Sequence, residues 1–369
     1  MRLIFKFLIV FCALFFCTDT YADINIAVWT PLSQDTLSAG NELMTGAEIA
    51  VRELNNQGGL LNQKINLIPV EDRCNDSLAV SSAQMMALNT DPDYKISTVI
   101  GPYCFNQFQR TTDILAKAKI FQIIPTMVNG TYAENEYGGL VKMVGYKEQQ
   151  AKDFFNFYNQ TFNWMRVALI FDKNNLGIAQ AVQNIFQQHH KSDALVSYAF
   201  EDYDFDYTTI TDKVLQDDTQ LAFILGSSEN VAQMAKTLKS AKRKYIIFVN
   251  KYQVTPEFED IMGHLIKNCY FIGLPSLKDS PEFTETLVKL RLLGIEPEGL
   301  AVYGYSAVQL WADLVNKAHS FDYDKLAQTL KDHKFHSGWG NLIFTNGNPL
   351  NALNYGIYSY QKGEYTQVY

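Results

Sequence analysis

After residue 22, no apolar run in this chain approaches the roughly 20 residues that a membrane-spanning helix needs, and no run of basic residues is longer than the three of Lys242-Arg243-Lys244. The first absence argues against a membrane-spanning helix in that part of the chain. The second, with 31 Lys+Arg against 39 Asp+Glu and a net charge of −8, argues against nucleic acid or an anionic membrane surface as partner. It excludes neither a small anion nor a membrane protein with a basic docking face. Catalytic signatures are also missing. There is no Gly-x-x-x-x-Gly-Lys-Ser/Thr, no Cys-x-x-Cys and no His-Glu-x-x-His. Gly304-Tyr305-Ser306-Ala307-Val308 lacks the last glycine of a nucleophile elbow. Asp202, Asp204 and Asp206 alternate as calcium ligands would, but Tyr207 and Lys213 stand where a calcium loop needs Gly and Glu. Asp206 or Thr208 is read instead as the cap of a helix over Thr209 to Leu215. His333 and His336 have no third ligand nearby and read as a solvated pair. Asp172-Lys173 follows a strand and reads as loop surface, since adjacent side chains at a strand end face apart. Neither an enzyme, a cofactor nor a metal is expected. No internal repeat or low-complexity segment occurs.

What is present begins with an export signal. Arg2 and Lys6 precede an apolar stretch from Leu3 to Phe16, and Thr20-Tyr21-Ala22 offers the small residues that signal peptidase cuts after. Residues 1–22 are therefore expected to be removed. Cys12 and Cys17 fall inside the signal without the small preceding residue of a lipoprotein. Three cysteines remain. Cys269, in the apolar run Cys269-Tyr270-Phe271-Ile272-Gly273, reads as a packed free thiol. Cys74 and Cys104 each follow a strand end. In an oxidising compartment they are expected to bridge, stapling two strand-to-helix loops, with two unpaired thiols as the alternative.

Residues 23–369 exceed one ordinary core and suggest two domains. Short apolar runs alternate with helical spacing in two series. The first runs through strands at Ile24 to Val28, Ile65 to Val70, Ser97 to Ile100, Phe121 to Ile124 and Val141 to Val144. Helices lie between them, beginning with Met44, Ala47, Ala50, Val51 and Leu54. The second runs through Val167 to Phe171, Val196 to Phe200, Leu221 to Leu225 and Tyr245 to Val249, ending near Gly273. Such alternation implies α/β architecture: two doubly wound parallel sheets, hence two lobes. Three more helices and strands at Ile343 to Thr345 and Tyr355 to Tyr360 follow.

Ile24-Asn25-Ile26-Ala27-Val28, Gly40 to Gly46-Ala47, Ala50-Val51-Arg52-Glu53-Leu54-Asn55 with Gly58-Gly59, Glu71-Asp72-Arg73-Cys74, Gly101-Pro102-Tyr103-Cys104, Phe171-Asp172-Lys173 with Gly177, and Tyr355-Gly356-Ile357-Tyr358 occur in that order. Together they resemble the periplasmic leucine/isoleucine/valine-binding proteins, the type I solute-binding components of ABC importers. The resemblance covers nearly all of residues 23–369. It implies two lobes joined by three crossovers, a hinge and an interlobe cleft that closes on a ligand. The expected lobes are residues 23–144 with 274–344, and 145–273 with 345–369. It also implies the Cys74–Cys104 disulfide, a periplasmic location, an inner-membrane ABC permease as partner and a monomer.

The family's amino-acid clamp matches poorly. The Ser expected after the second cysteine is Phe105. Pro125 is followed by Thr126, Met127 and Val128. The acid that would hold an ammonium falls on Lys251 or Tyr252. An ammonium buried without an anion is very costly, so the ligand is expected not to be a standard branched-chain amino acid. Trp29 and Phe105 are candidate stacking surfaces, or else fill the core under the loop. Lys251, if it points inward, suits a carboxylate. Asn106, Thr126, Ser227 and Ser228 are polar candidates, the two serines alternatively capping the next helix. A ligand sensor that presents its bound state to a signalling receptor is the rival reading, and a hydrolase a weaker one.

Overall fold

Strands buried along their whole length, such as Val167–Asp172 and Leu221–Leu225, are what a parallel sheet covered on both faces requires. An edge strand such as Leu195–Phe200 shows mixed burial instead. The computed structural model describes residues 23–32, 37–104, 107–126, 138–144, 147–173, 176–201, 206–276, 281–294, 299–331, 334–337, 340–345, 348–349 and 354–369. The first sheet contains β1 (Ile24–Trp29), β2 (Ile65–Val70), β3 (Ile96–Ile100), β4 (Phe121–Ile124) and β5 (Leu140–Lys142). All pairs are parallel, in the spatial order β2-β1-β3-β4-β5. Between these strands lie α1 (Leu37–Asn56), α2 (Asp76–Leu88) and α3 (Phe108–Lys117). Asn75 caps α2, its side chain accepting from the Ser77 and Leu78 amides.

The second sheet follows α4 (Lys147–Thr161). It contains β6 (Val167–Asp172), α5 (Leu176–Gln188), β7 (Leu195–Phe200), α6 (Tyr207–Gln216), β8 (Leu221–Leu225), α7 (Ser228–Ser240), β9 (Ile246–Asn250), α8 (Pro256–Met262) and β10 (Cys269–Gly273) in chain order. Asp206 caps α6, accepting from the Thr208 amide. The chain then forms α9 (Thr284–Leu292), α10 (Leu300–Ala318) and α11 (Tyr323–Leu330), and a small antiparallel sheet of β11 (Lys334–Ser337), β12 (Gly340–Thr345) and β13 (Asn348–Pro349). Finally β14 (Gly356–Gln361) and β15 (Glu364–Gln367) add antiparallel strands to the β10 edge, giving the order β15-β14-β10-β9-β8-β6-β7.

The cores show how the chain passes between layers. One cluster packs Ile26, Val28, Phe121 and Val141 of the first sheet with Trp311, Leu314, Leu326, Phe335 and Phe344 from far along the chain. Two others lie on the two faces of the second sheet. In one of them the Phe154 ring is 4.6 Å from Phe223 and 5.1 Å from Phe248, which stacks on Tyr270 at 5.0 Å. The chain therefore crosses between the sheets after β5, after β10 and before β14.

Helices α1 and α10 meet at glycines. A Cβ on Gly46 would lie 1.8 Å from the Ala301 carbonyl oxygen, and one on Gly304 would lie 2.0 Å from that of Leu43. Backbone meets backbone here, so no side chain can yield. Gly46→Ala or Gly304→Ala is expected to cost about 1–3 kcal/mol of stability by overpacking. Urea unfolding checks this, and an unchanged midpoint would refute the close approach.

Candidate functional site

Both parallel sheets have the same winding. The strand order reverses between β1 and β3 in the first and between β6 and β8 in the second. Ligands of open α/β sheets bind beyond the carboxyl ends of the strands at such a reversal, where successive connections leave to opposite faces and open a crevice. In the first lobe that edge carries Trp29–Thr30, Asp72–Cys74, Gly101–Cys104 and Thr126. In the second it carries Asp172–Lys173, Gly226–Ser228 and Asn250–Gln253.

Asp72 organises the first edge. Its buried carboxylate accepts from the Trp29 indole N–H at 2.5 Å and from the Cys74 amide at 2.9 Å. The Gln107 side chain, in the amide orientation that satisfies both its ends, donates to the same carboxylate and accepts from the Asn75 amide at 3.0 Å. Burial raises the Asp72 carboxyl above its ordinary 3.8, while these donors pull it back down. Cys74 and Cys104 are disulfide-bonded with Cα atoms 5.5 Å apart; closing a loop of this length contributes roughly 3–4 kcal/mol in the chain-entropy model. Asp72 groups closely with both sulfurs, but sulfurs joined to each other offer no thiolate to a metal. Gly101 has φ +123°, and a Cβ there would lie 2.5 Å from the Trp29 carbonyl oxygen. That contact lets the β3 loop fold over β1, where the Tyr103 amide donates to Trp29 O at 3.0 Å. The Thr126 hydroxyl donates to Tyr103 O at 3.3 Å.

The second edge is held at its turn by side-chain amides rather than by a carboxylate. Asn250 and Gln253 form a reciprocal capping box around the turn Lys251–Gln253. The Asn250 side chain accepts from Gln150 at 2.5 Å and donates to the Tyr252 hydroxyl at 3.3 Å. Gln253 donates to Gly226 O at 2.5 Å. Tyr252 is 47% exposed, yet its phenol is pushed up to about 12 by burial, opposed by the Asn250 hydrogen bond, with the fields of Tyr103 and Asp172 adding to the rise. Tyr103 is likewise pushed up to about 12, by burial and then by Glu42. Tyr103 therefore lies near enough for its charge to bear on Tyr252, and both are protonated hydroxyls at neutral pH.

Several residues stand elsewhere than the sequence suggested. Trp29 is 0% exposed and packs with Ala79, Ala83 and Leu115. It is a floor for the loop and not a stacking surface, because its indole N–H is drawn inward to Asp72. Asp172 is not loop surface: it is 4% exposed and acts on Tyr252, while the exposed Lys173 pairs with Glu201. Lys251 turns from the cleft. Its Nζ lies 4.3 Å over the Tyr358 ring and 5.9 Å from that of Tyr365. Tyr358 in turn donates to Leu274 O at 2.6 Å, and Tyr303 of α10 donates to Pro275 O at 3.3 Å, so the second crossover is held from both sides. Thr126 is buried at the first edge. Ser227 stands at the N-cap of α7 without a side-chain capping bond. Ser228 bonds Gln253 O and the Thr255 hydroxyl, each at 2.7 Å. Phe105, Asn106 and Val128 lie outside the described residues. Sequence reading missed Tyr103, Asp72 and Gln107 as site builders, although Asp72 stood in the quoted Glu71-Asp72-Arg73-Cys74. It also missed the Asn250-x-x-Gln253 box, whose spacing is legible.

Two matched α/β lobes facing each other across such a crevice define the type I periplasmic binding protein fold. The chain belongs to the periplasmic binding protein family, whose model matches residues 23–363. It is 24% identical over 355 residues to an amino acid binding protein of Pseudomonas aeruginosa, covering 95% of this chain and 94% of that one. A leucine-binding protein of Thermotoga maritima superposes with a TM-score of 0.79 at 17% identity, over 94% of this chain and 98% of that one. A solute-binding protein from an ABC transporter of R. palustris, solved in complex with benzoate, gives 0.76 at 14% identity, over 94% and 96%.

Asp72→Asn leaves one acceptor for three donors and turns an N–H₂ group toward them. It is expected to destabilise the protein by about 1–3 kcal/mol at neutral pH. The raised folded-state value means that the native state binds the Asp72 proton more tightly than the unfolded chain. Wild-type stability relative to Asp72→Asn should therefore rise as pH falls through that raised value towards 3.8, and level off below it. Urea unfolding of both proteins across pH tests this; a difference that shrinks toward acid would contradict it.

Proposed function

We propose that this chain is the exported solute-binding component of an ABC importer of the branched-chain amino acid type. It is made with a signal over residues 1–22, and its lobes, 23–144 with 274–344 and 145–273 with 345–369, close by hinge motion over a small ligand for delivery to a membrane permease. The ligand is not a standard branched-chain amino acid. It is a carboxylate or aromatic compound without a free ammonium.

The observation that carries this reading is the neutral phenol of Tyr252, near Tyr103, where an ammonium binder needs an accessible anion. A phenol raised to about 12 donates and accepts hydrogen bonds but cannot neutralise an ammonium. The Asp172 carboxylate is buried, 4% exposed, and so is not the accessible anion that an ammonium needs. Two phenolic donors suit a carboxylate or carbonyl oxygen. The same fold holds benzoate in the R. palustris protein, so aromatic acids are within its range, although the P. aeruginosa relative is described as binding amino acids.

Thermal shift and calorimetry on residues 23–369 test the proposal. The panel is leucine, isoleucine, valine and phenylalanine beside benzoate, phenylacetate, branched aliphatic acids and neutral amides. Ligand at about 100 times its Kd stabilises by roughly 2.7 kcal/mol, enough for a clear shift. Stabilisation by compounds lacking an ammonium, and none by the amino acids, is expected. Tyr252→Ala should then weaken binding about tenfold or more, the loss of roughly 1.4 kcal/mol, with the ligand-free melting point unchanged. Tight binding of leucine, isoleucine or valine would overturn the ligand assignment.

A further inference from the structure

Helix α2 is apolar on both sides. Ala79, Ala83 and Met86 face the sheet, while Leu78, Met85 and Leu88 are 46%, 64% and 79% exposed. Positions 78, 81, 85 and 88 fall on one side of a helix, so Leu78, Ser81, Met85 and Leu88 form a continuous outer strip. Asp76, in the first turn, is the only ionisable residue of the helix, and none occurs from Ser77 to Thr90. Solvated helices carry charge on their outer face, and one that is apolar all round is ordinarily covered. Among the described residues, the exposed apolar group Val288, Leu292 and Leu293 differs: Lys289 and Arg291 interrupt it and Glu285 precedes it.

The two ends of the strip carry opposite charge. Arg73 and Arg110 stand exposed at its beginning, with Arg110 3.2 Å from Asp76. Asp91 and Asp93 stand exposed just past its end, with Lys95. The helix dipole has the same sense, positive at the start and negative at the end. From these features we propose that α2 is the contact of a two-fold homodimer, in which the α2 helices of two copies pack antiparallel. Ser81 near the middle permits close approach. Leu78 of each copy lies against Met85 and Leu88 of its mate, and the Arg73/Arg110 end of each meets the Asp91/Asp93 end of the other. Such self-complementarity is what an isologous interface requires, and for an acidic chain the uncharged strip is where two copies approach with least repulsion.

A helix of 13 residues is about 20 Å long, so its outer face alone falls short of the roughly 800 Å² per partner of a standard interface. The dimer is therefore concentration-dependent and sensitive to salt. It replaces the monomer that the transport role suggested. It also goes beyond the ligand assignment: the contact is confined to the first lobe and leaves the second free to swing.

Sedimentation velocity of residues 23–369 at low salt, from about 1 µM to about 1 mM, spans the range in which weak complexes form. The weight-average mass should rise toward twice that of the monomer, and the rise should fade with added salt. Met85→Asp with Leu88→Asp should stay monomeric throughout with an unchanged melting point, since both side chains are exposed. Asp91→Arg with Asp93→Arg, and separately Arg73→Asp with Arg110→Asp, should each be monomeric alone and pair when mixed, because both ends then become complementary. A wild type that remains monomeric, a dimer indifferent to the strip substitutions, or a charge-swapped mixture that does not pair would each overturn the proposal.

Discussion

The Asp72 carboxylate joins three segments that the chain keeps far apart: the end of β1 through Trp29, the β2 loop through Cys74, and the start of α3 through Gln107. A parallel sheet fixes its strands through the ladder, but nothing in the ladder fixes the loops beyond the strand ends. A buried charge with three donors does so. Removing any one donor exposes the cost of having desolvated the carboxylate, which makes the cluster behave as a unit. The disulfide reinforces the same place covalently. The first lobe thus presents a stiff edge, and Tyr103 and Thr126 are held on it, Tyr103 by its amide on Trp29 O and by packing against the core, Thr126 by its hydroxyl on Tyr103 O.

The second lobe solves the equivalent problem without charge. Gln150, Asn250 and Gln253 interlock through amides, and the turn they stabilise separates two neighbours in sequence. Tyr252 stays 47% exposed, where the proposed ligand would meet it, and Lys251 goes to the aromatic face of β14 and β15. A ligand that touches Tyr252 therefore touches a turn whose other side rests against the crossover.

Much of this architecture was legible because parallel buried strands are apolar throughout and their helices are periodic. Each strand read in the two series has its counterpart, and a resemblance in ordered short motifs pointed to the fold. α1 begins at Leu37, well before the periodic residues from Met44, because its first turns carry little apolar signal. β11 and β13 are short antiparallel pieces that composition does not mark. At the site, side-chain direction was the limit. Trp29 reads equally as a stacking ring or a core ring until Asp72 is seen to claim its N–H. Asp172 looks like a loop residue until its burial is known. Lys251 and Tyr252 cannot be told apart by spacing, because a short turn sends adjacent residues to opposite sides.

Leu274 and Pro275 are adjacent in the chain, yet their carbonyls are grasped by tyrosines from opposite bodies, Tyr358 and Tyr303. The proline also narrows the torsions open to Leu274. Such a segment works as an axle clamped at both ends: it fixes where the two bodies meet while contributing little rotation itself. In the hinge closure proposed above, the swing is then divided between the other two segments that link them, one after β5 and one before β14. The latter is itself tethered at Tyr355 by the buried Asp153 carboxylate at 2.8 Å. The connection after β5 is held as well, its buried Met143 donating its amide to Ile124 O at 2.9 Å, so the closure proposed above is steered by three connections that are each pinned to a sheet edge.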